Sequence, residues 1–272
     1  MASLVTEQGI VHYEAYGRGR PVLLLHGWLN SWAIWRPTVE MLGKEFRLYA
    51  LDFLGFGESG SQEEKTEHFT VSNFVMMVDE FMDRMAIKKA PLVGHSMGGT
   101  VALSTAIRSP EKVVKVIVVG SPIQGNSLSP LLKLAAYRGW TGLSQSAPFL
   151  YNVFQKGFTP FLSRYAYMMA KDGKAVGAML TSDVAKLTAA PFFESIGTLR
   201  ETDLRPRLGE LHMPVLGIYG KKDIIVSPGQ AKVLKQYLPS SKSAWFEQSG
   251  HFPMIDESER FHTEVRDFLN NG

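Results

Sequence analysis

Gly94-His95-Ser96-Met97-Gly98 sets a hydroxyl between two glycines in the pattern G-x-S-x-G. The bare pattern arises by chance in roughly one chain in five of this composition, so its setting decides its weight. It follows the apolar run 90–93 and opens a helical pattern that continues through Val101, Ala102 and Ile107. A serine on so sharp a strand-to-helix turn needs small neighbours and is lifted clear of the sheet. The N–H groups that open the helix then face any developing negative charge. Such a serine suits nucleophilic attack on a carbonyl carbon. The competing reading is a glycine-rich turn without chemistry.

A serine hydroxyl is a poor nucleophile at neutral pH and needs a base beside it. Among the seven histidines, His12, His68, His212 and His262 stand in strand, loop or polar-helix settings that suit a solvated or structural role. His26 follows the run 21–25 and His95 precedes Ser96, and both suit holding the site together. His251 is the best base. It sits in Gln248-Ser249-Gly250-His251-Phe252-Pro253, a short loop between the run 243–246 and the final helical pattern. The acid that orients it should stand at the end of a strand, and Asp223 in Tyr219-Gly220-Lys221-Lys222-Asp223 does so. The other candidate place, directly after the run 113–119, holds no carboxylate through Ser129. An acid here accepts the second imidazole N–H, fixes the tautomer and stabilises the imidazolium.

His26-Gly27-Trp28 also follows a buried run, so the Trp28 N–H could form half of an oxyanion hole, with the Met97 N–H as the other half. Trp28 could equally be plain core. The loop from Asp52 through Gly55, Gly57 and Ser59 is glycine-rich, but no Gly-Lys-[Ser/Thr] ending follows it and its spacing is not G-x-G-x-x-G. Phosphate cradling is therefore not expected there.

These residues need a scaffold. Continuous apolar runs at 21–25, 46–51, 90–93, 113–119, 214–219 and, more weakly, 243–246 read as strands buried on both faces of a mostly parallel sheet. Two further strands, 4–7 and 10–15, flank the tight turn at Gln8-Gly9, which makes eight. Helical patterns alternate with the runs: Val71 to Met85, Met97 to Arg108, Gln230 to Leu238, and a last one through Phe261, Val265, Phe268 and Leu269. Alternation of this kind indicates an α/β fold with helices on both faces. Between 123 and 202 the rhythm stops. That stretch has no strand-like run and is rich in Leu, Phe, Tyr, Met and Ala, which predicts a helical cap inserted into a core of 1–122 and 203–272. Two ordinary helices with long loops are the alternative.

Composition narrows the classes. At 272 residues and 45% apolar content the chain can bury a large core. Its 29 basic residues are dispersed among 26 acidic ones without a basic stripe, so nucleic acid is not an expected partner. The absence of cysteine excludes disulfides, thiolate metal sites and a cysteine nucleophile. No run reaches 18 apolar residues, since Gln155, Lys156, Pro160 and Arg164 interrupt the greasiest region, so stable membrane insertion is not expected. Glu7, His12 and Glu14 break every candidate leader core, and a cytoplasmic location is the expectation.

Taken together, the chain resembles the α/β-hydrolase superfamily over nearly its whole length. The resemblance is carried by His26-Gly27-Trp28, the Asp52…Gly55-x-Gly57-x-Ser59 loop, Gly94-His95-Ser96-Met97-Gly98-Gly99, Gly220-x-x-Asp223 and Gly250-His251. Within the superfamily it is similar to small bacterial carboxylesterases and arylesterases related to cofactor-free haloperoxidases. The resemblance implies a chain order of serine, acid, then histidine, hence Ser96, Asp223 and His251. It further implies acyl transfer on a small apolar ester without metal or organic cofactor. Relatives with an aspartate or cysteine nucleophile are excluded by Ser96. Carbon–carbon bond hydrolases share Ser-Asp-His and a Met-Gly-Gly tail, but carry Asn before the serine and Trp after the histidine, where this chain has His95 and Phe252. They remain an alternative, as does a non-catalytic ligand receptor on the same fold.

Overall fold

In a computed structural model, which describes residues 2–59, 69–137, 139, 140, 142 and 148–271, the eight strands form one sheet. They are β1 (Ala2–Thr6), β2 (Gly9–Tyr16), β3 (Arg20–Leu25), β4 (Phe46–Leu51), β5 (Ala90–His95), β6 (Val113–Val119), β7 (Val215–Gly220) and β8 (Lys242–Phe246). Their order across the sheet is β1-β2-β4-β3-β5-β6-β7-β8. β1 and β2 are an antiparallel hairpin at one edge, β2 is antiparallel to β4, and every later pair is parallel. The parallel strands bury both faces, which is why they read as unbroken apolar runs: Leu23, Leu25, Val93, Ile117 and Val118 are all fully buried.

Two strands run further than their apolar runs. β5 continues through Gly94 and His95, paired with Val118 and Val119, and β7 continues to Gly220, paired with Phe246. A glycine or histidine weakens a hydrophobic pattern without preventing ladder hydrogen bonds, so the pattern stops before the strand does.

Helices α1 (Arg36–Leu42), α2 (Val71–Arg84), α3 (Met97–Arg108), α8 (Gln230–Tyr237) and α9 (Ser258–Asn271) cover the sheet. α2 begins where the Thr70 side chain accepts the Asn73 N–H, and it buries Phe74, Val75, Val78, Phe81 and Met82 on one face. Between β6 and β7 lie α4 (Pro130–Ala135), α5 (Pro148–Met169), α6 (Gly173–Val184) and α7 (Ala189–Glu201). The two ends of that stretch lie side by side: Gly125 N–H meets Thr202 O at 2.9 Å and Leu204 N–H meets Ile123 O at 3.0 Å. An excursion with adjoining ends leaves the core ladder undisturbed. Pro160 lies inside α5, which runs on through it to Met169. Among the described residues no helix is long and apolar enough to cross a membrane.

Candidate active site

Ser96 sits between β5 and α3 with φ 51° and ψ −118°. A side chain in the left-handed region is strained, and such strain persists only where the surroundings impose it. Here the Ser96 N–H is tied to Val119 O at 2.8 Å, so the ladder turns straight into the helix. The turn also packs on the loop after β3. A Cβ at Gly98 would lie 2.3 Å from Leu25 O and 2.5 Å from His26 O, so no other residue fits there.

The loop after β3 carries Trp28, whose ring N–H reaches Phe192 O on α7 at 3.0 Å. Among the described residues neither the Trp28 nor the Met97 backbone N–H has a hydrogen-bond acceptor. Asp52 shapes this loop from below. One oxygen accepts the Trp32 N–H at 2.6 Å; the other accepts the Glu58 N–H at 2.9 Å and meets His12 Nδ1 at 2.8 Å. His12 is accordingly buried and held above its ordinary pKa, chiefly by its hydrogen bond to Asp52.

His251 and Asp223 meet directly, with Nδ1 2.7 Å from Oδ2. The other Asp223 oxygen accepts the Ile225 and Val226 N–H groups at 2.8 and 2.9 Å, which locks the carboxylate. Both residues are buried, and His251 lines the same cavity as Ser96. Among the described residues the Ser96 hydroxyl and the His251 ring form no direct hydrogen bond; catalytic hydrogen bonds are often long before substrate arrives.

His26 and His95 are framework. His95 Nε2 donates to His251 O at 2.9 Å, and burial, followed by the nearby His251, pushes its pKa well below the ordinary value. His26 Nδ1 donates to Gly27 O at 2.7 Å while its Nε2 accepts the Phe53 N–H at 2.9 Å, and burial lowers it as well. In each ring the backbone carbonyl fixes which nitrogen donates, and burial disfavours the charged form. His262 is buried against Thr38 and His212 is exposed, whereas His68 lies outside the described residues. No three His, Asp or Glu side chains converge as a metal site would need, among the described residues.

Over Ser96 lies a cavity of about 380 Å³. Trp28, Phe154, Phe158, Phe192 and Phe193 contribute its aromatic walls, and among the described residues no Asp, Glu, Lys or Arg lines it. Trp28 and Phe192 pack with ring centroids 4.9 Å apart. Not every apolar residue of the stretch turns inward: Tyr137, Phe149 and Met168 are each more than 60% exposed. α5 has one polar stripe through Gln155, Lys156, Thr159 and Ser163, and its apolar residues spread over the wider remainder, so its sequence does not mark which part of that surface the cavity takes.

Asp183 on α6 was not distinguishable in sequence from a surface acid. It is buried, and both its oxygens lie 3.0 Å from Ser31 Oγ, next to the Trp28 loop. Burial is the main force that pushes its carboxyl up to about 6; Asp52 adds to this, and Ser31 and Lys186 oppose it. With the folded value above that of the unfolded chain, the folded state holds the extra proton between pH 4 and 6. Stability is thus lost as pH rises through that window, by ~3 kcal/mol at most. Asp183→Asn keeps an acceptor for Ser31 without the charge. It should melt a few °C higher than the parent at pH 8 and at about the same temperature at pH 4.5. Equal destabilisation at both pH values in thermal melts would show that the carboxylate is favourably paired.

Comparison with known proteins follows the same outline. A family model described as alpha/beta hydrolase fold matches residues 20–258. The chain is 31% identical over 269 residues to a pimeloyl-[acyl-carrier protein] methyl ester esterase of Vibrio campbellii, covering 95% of this chain and 98% of that one. An esterase from Exiguobacterium antarcticum superposes with a TM-score of 0.81 at 19% identity, covering 97% of this chain and 96% of the other. A bromoperoxidase from Bacillus anthracis gives 0.81 at 21%, with the same coverage of each chain, and at these identities both likenesses speak to the fold.

Proposed function

The chain belongs to the alpha/beta hydrolase fold family, and from that premise we propose a serine esterase with Ser96 as nucleophile, His251 as general base and Asp223 as the orienting acid. One observation carries the reading. The strained Ser96 opens into the same apolar cavity as His251, whose far nitrogen is held by a locked carboxylate at 2.7 Å. With Nδ1–H directed at Asp223, Nε2 is the basic nitrogen and takes the Ser96 proton as Oγ attacks the ester carbonyl. The free N–H groups of Trp28 and Met97 receive the oxyanion. Collapse of the tetrahedral intermediate expels the alcohol with that proton. Water activated by His251 then cleaves the acyl-enzyme and restores Ser96.

Residues 123–202 serve as a cap on a core of 1–122 and 203–272, and the lining they share with Trp28 and Phe252 sets the substrate. A wall whose described residues carry no charged group favours an uncharged acyl or aryl group, at ~0.8 kcal/mol per buried CH₂ while room remains. It disfavours a free carboxylate, which would be buried without a partner. A pimeloyl group with a methyl ester at one end and a carrier at the other, as in the names of the Vibrio relatives, has no free carboxylate and suits such a wall.

Across p-nitrophenyl esters from acetate to palmitate, kcat/KM should climb over the first few carbons and then fall. Dimethyl pimelate should be cleaved faster than its monoacid. A maximum at palmitate would point to an open, lipase-like groove. No turnover of any ester would transfer the reading to carbon–carbon bond hydrolysis, which a vinylogous diketone substrate tests.

A further inference from the structure

The loop that carries His251 is laced to the residues just after it. Glu257 accepts the Gln248 N–H at 3.0 Å and the Ser249 hydroxyl at 2.9 Å. Asp256, which ends the helical turn Pro253–Asp256, does something different, because its two oxygens face two separate segments. Oδ2 accepts the Gly250 N–H at 2.9 Å and Oδ1 accepts the Lys171 N–H at 2.8 Å. Lys171 lies two residues beyond the end of α5, and Met169, the last residue of α5, receives the His251 N–H on its carbonyl at 2.8 Å. The approach is close enough to demand glycine, since a Cβ at Gly250 would stand 2.1 Å from Met169 O. Two backbone segments, 169–171 and 250–251, are thus clamped by one carboxylate and one direct hydrogen bond.

We propose that Asp256 is a positioning residue for His251, which couples the aim of the imidazole to the seating of the C-terminal end of α5. The backbone at 250–251 is fixed on one side by the cap helix and on the other by Asp256. Displacement of α5 therefore releases the His251 N–H and the Lys171 N–H together. A base shifted by about 1 Å loses on the order of 10²-fold in rate. The enzyme is accordingly competent when the cap end is seated and idle when it lifts. Burial raises the Asp256 carboxyl above its ordinary pKa, while backbone N–H groups from Gly250, Lys171 and Asp172 pull it back, as befits an acceptor held between segments.

This inference rests on His251 being the base, so His251→Ala is assayed alongside; activity in that variant would overturn the parent reading and this one with it, whereas an inactive His251→Ala leaves the Asp256 outcomes to decide the coupling alone. The test compares Asp256→Asn, Asp256→Glu and the control Glu257→Gln, using p-nitrophenyl butyrate kinetics and hydrogen exchange of the backbone amides. Asp256→Asn should lose about 10–100-fold in kcat with KM within about threefold. Exchange should quicken in 170–172 and 249–252 together. Asp256→Glu should recover part of kcat, and Glu257→Gln should quicken exchange in 248–250 alone. A folded Asp256→Asn with parental kcat, or with faster exchange confined to 249–252, would overturn the coupling. If Asp256→Asn does not fold, Lys171→Pro removes only the donor on the cap side and must show the same kcat loss; parental kcat there would overturn the proposal equally.

Discussion

Ser96→Ala is expected to lower kcat about 10⁴–10⁶-fold without loss of fold. The size follows from what the hydroxyl does. Among the described residues the Ser96 side chain makes no hydrogen bond that the fold depends on, and the turn is held by its backbone N–H on Val119 O. Alanine keeps that bond and bears the same positive φ as serine. The melting temperature should therefore stay within a degree or two of the parent. What disappears is the atom that forms the acyl-enzyme, leaving the Trp28 and Met97 N–H groups and the cavity to give residual assistance to water. Steady-state kinetics with p-nitrophenyl butyrate, paired with a thermal melt, check both halves. A well-folded variant that keeps more than about a hundredth of parental kcat would mean that Ser96 is not the nucleophile.

The second large effect is expected at Asp223. In Asp223→Asn the side-chain oxygen can still accept the Ile225 and Val226 N–H groups, so the local turn should survive. The amide nitrogen then faces His251 Nδ1 and can only donate to it. His251 is forced to place its proton on Nε2, the nitrogen that must be empty to take the Ser96 proton. The corresponding change in a serine protease costs about 10⁴-fold in kcat, and a loss of that order with little change in KM is expected here. A variant retaining more than about a tenth of the activity would point to another orienting carboxylate. The loop after β6 cannot supply it, because 120–129 contains none.

How far these residues can be read without coordinates depends on how local their signals are. The parallel strands are visible because burial on both faces leaves a run such as Val113–Val119 nearly without polar residues. The Ser96 elbow is visible because strain and crowding demand small residues at fixed spacing. His251 and Asp223 stand out by their places after apolar runs. Asp183 and Asp256 do not, since each is a single carboxylate with a partner, Ser31 or Lys171, that lies 152 or 85 residues away along the chain. Their roles exist only once Ser31 and Lys171 have been brought to them. The inward and outward faces of α5 are hidden for another reason. Phe149 and Phe154 are alike in type, and only packing against Phe192 and Phe193 makes Phe154 a cavity wall at 40% exposure while Phe149 stays 65% exposed. Helical phase is a property of the packed cap, and a helix whose apolar residues spread over more than half its circumference does not encode it.

Intact-mass and peptide mapping after treatment with a fluorophosphonate test the central claim most directly. One adduct per chain is expected, mapped to Ser96, formed with loss of esterase activity and absent from Ser96→Ala. An adduct that persists in Ser96→Ala at another serine, or full activity in a chain quantitatively labelled at Ser96, would contradict it.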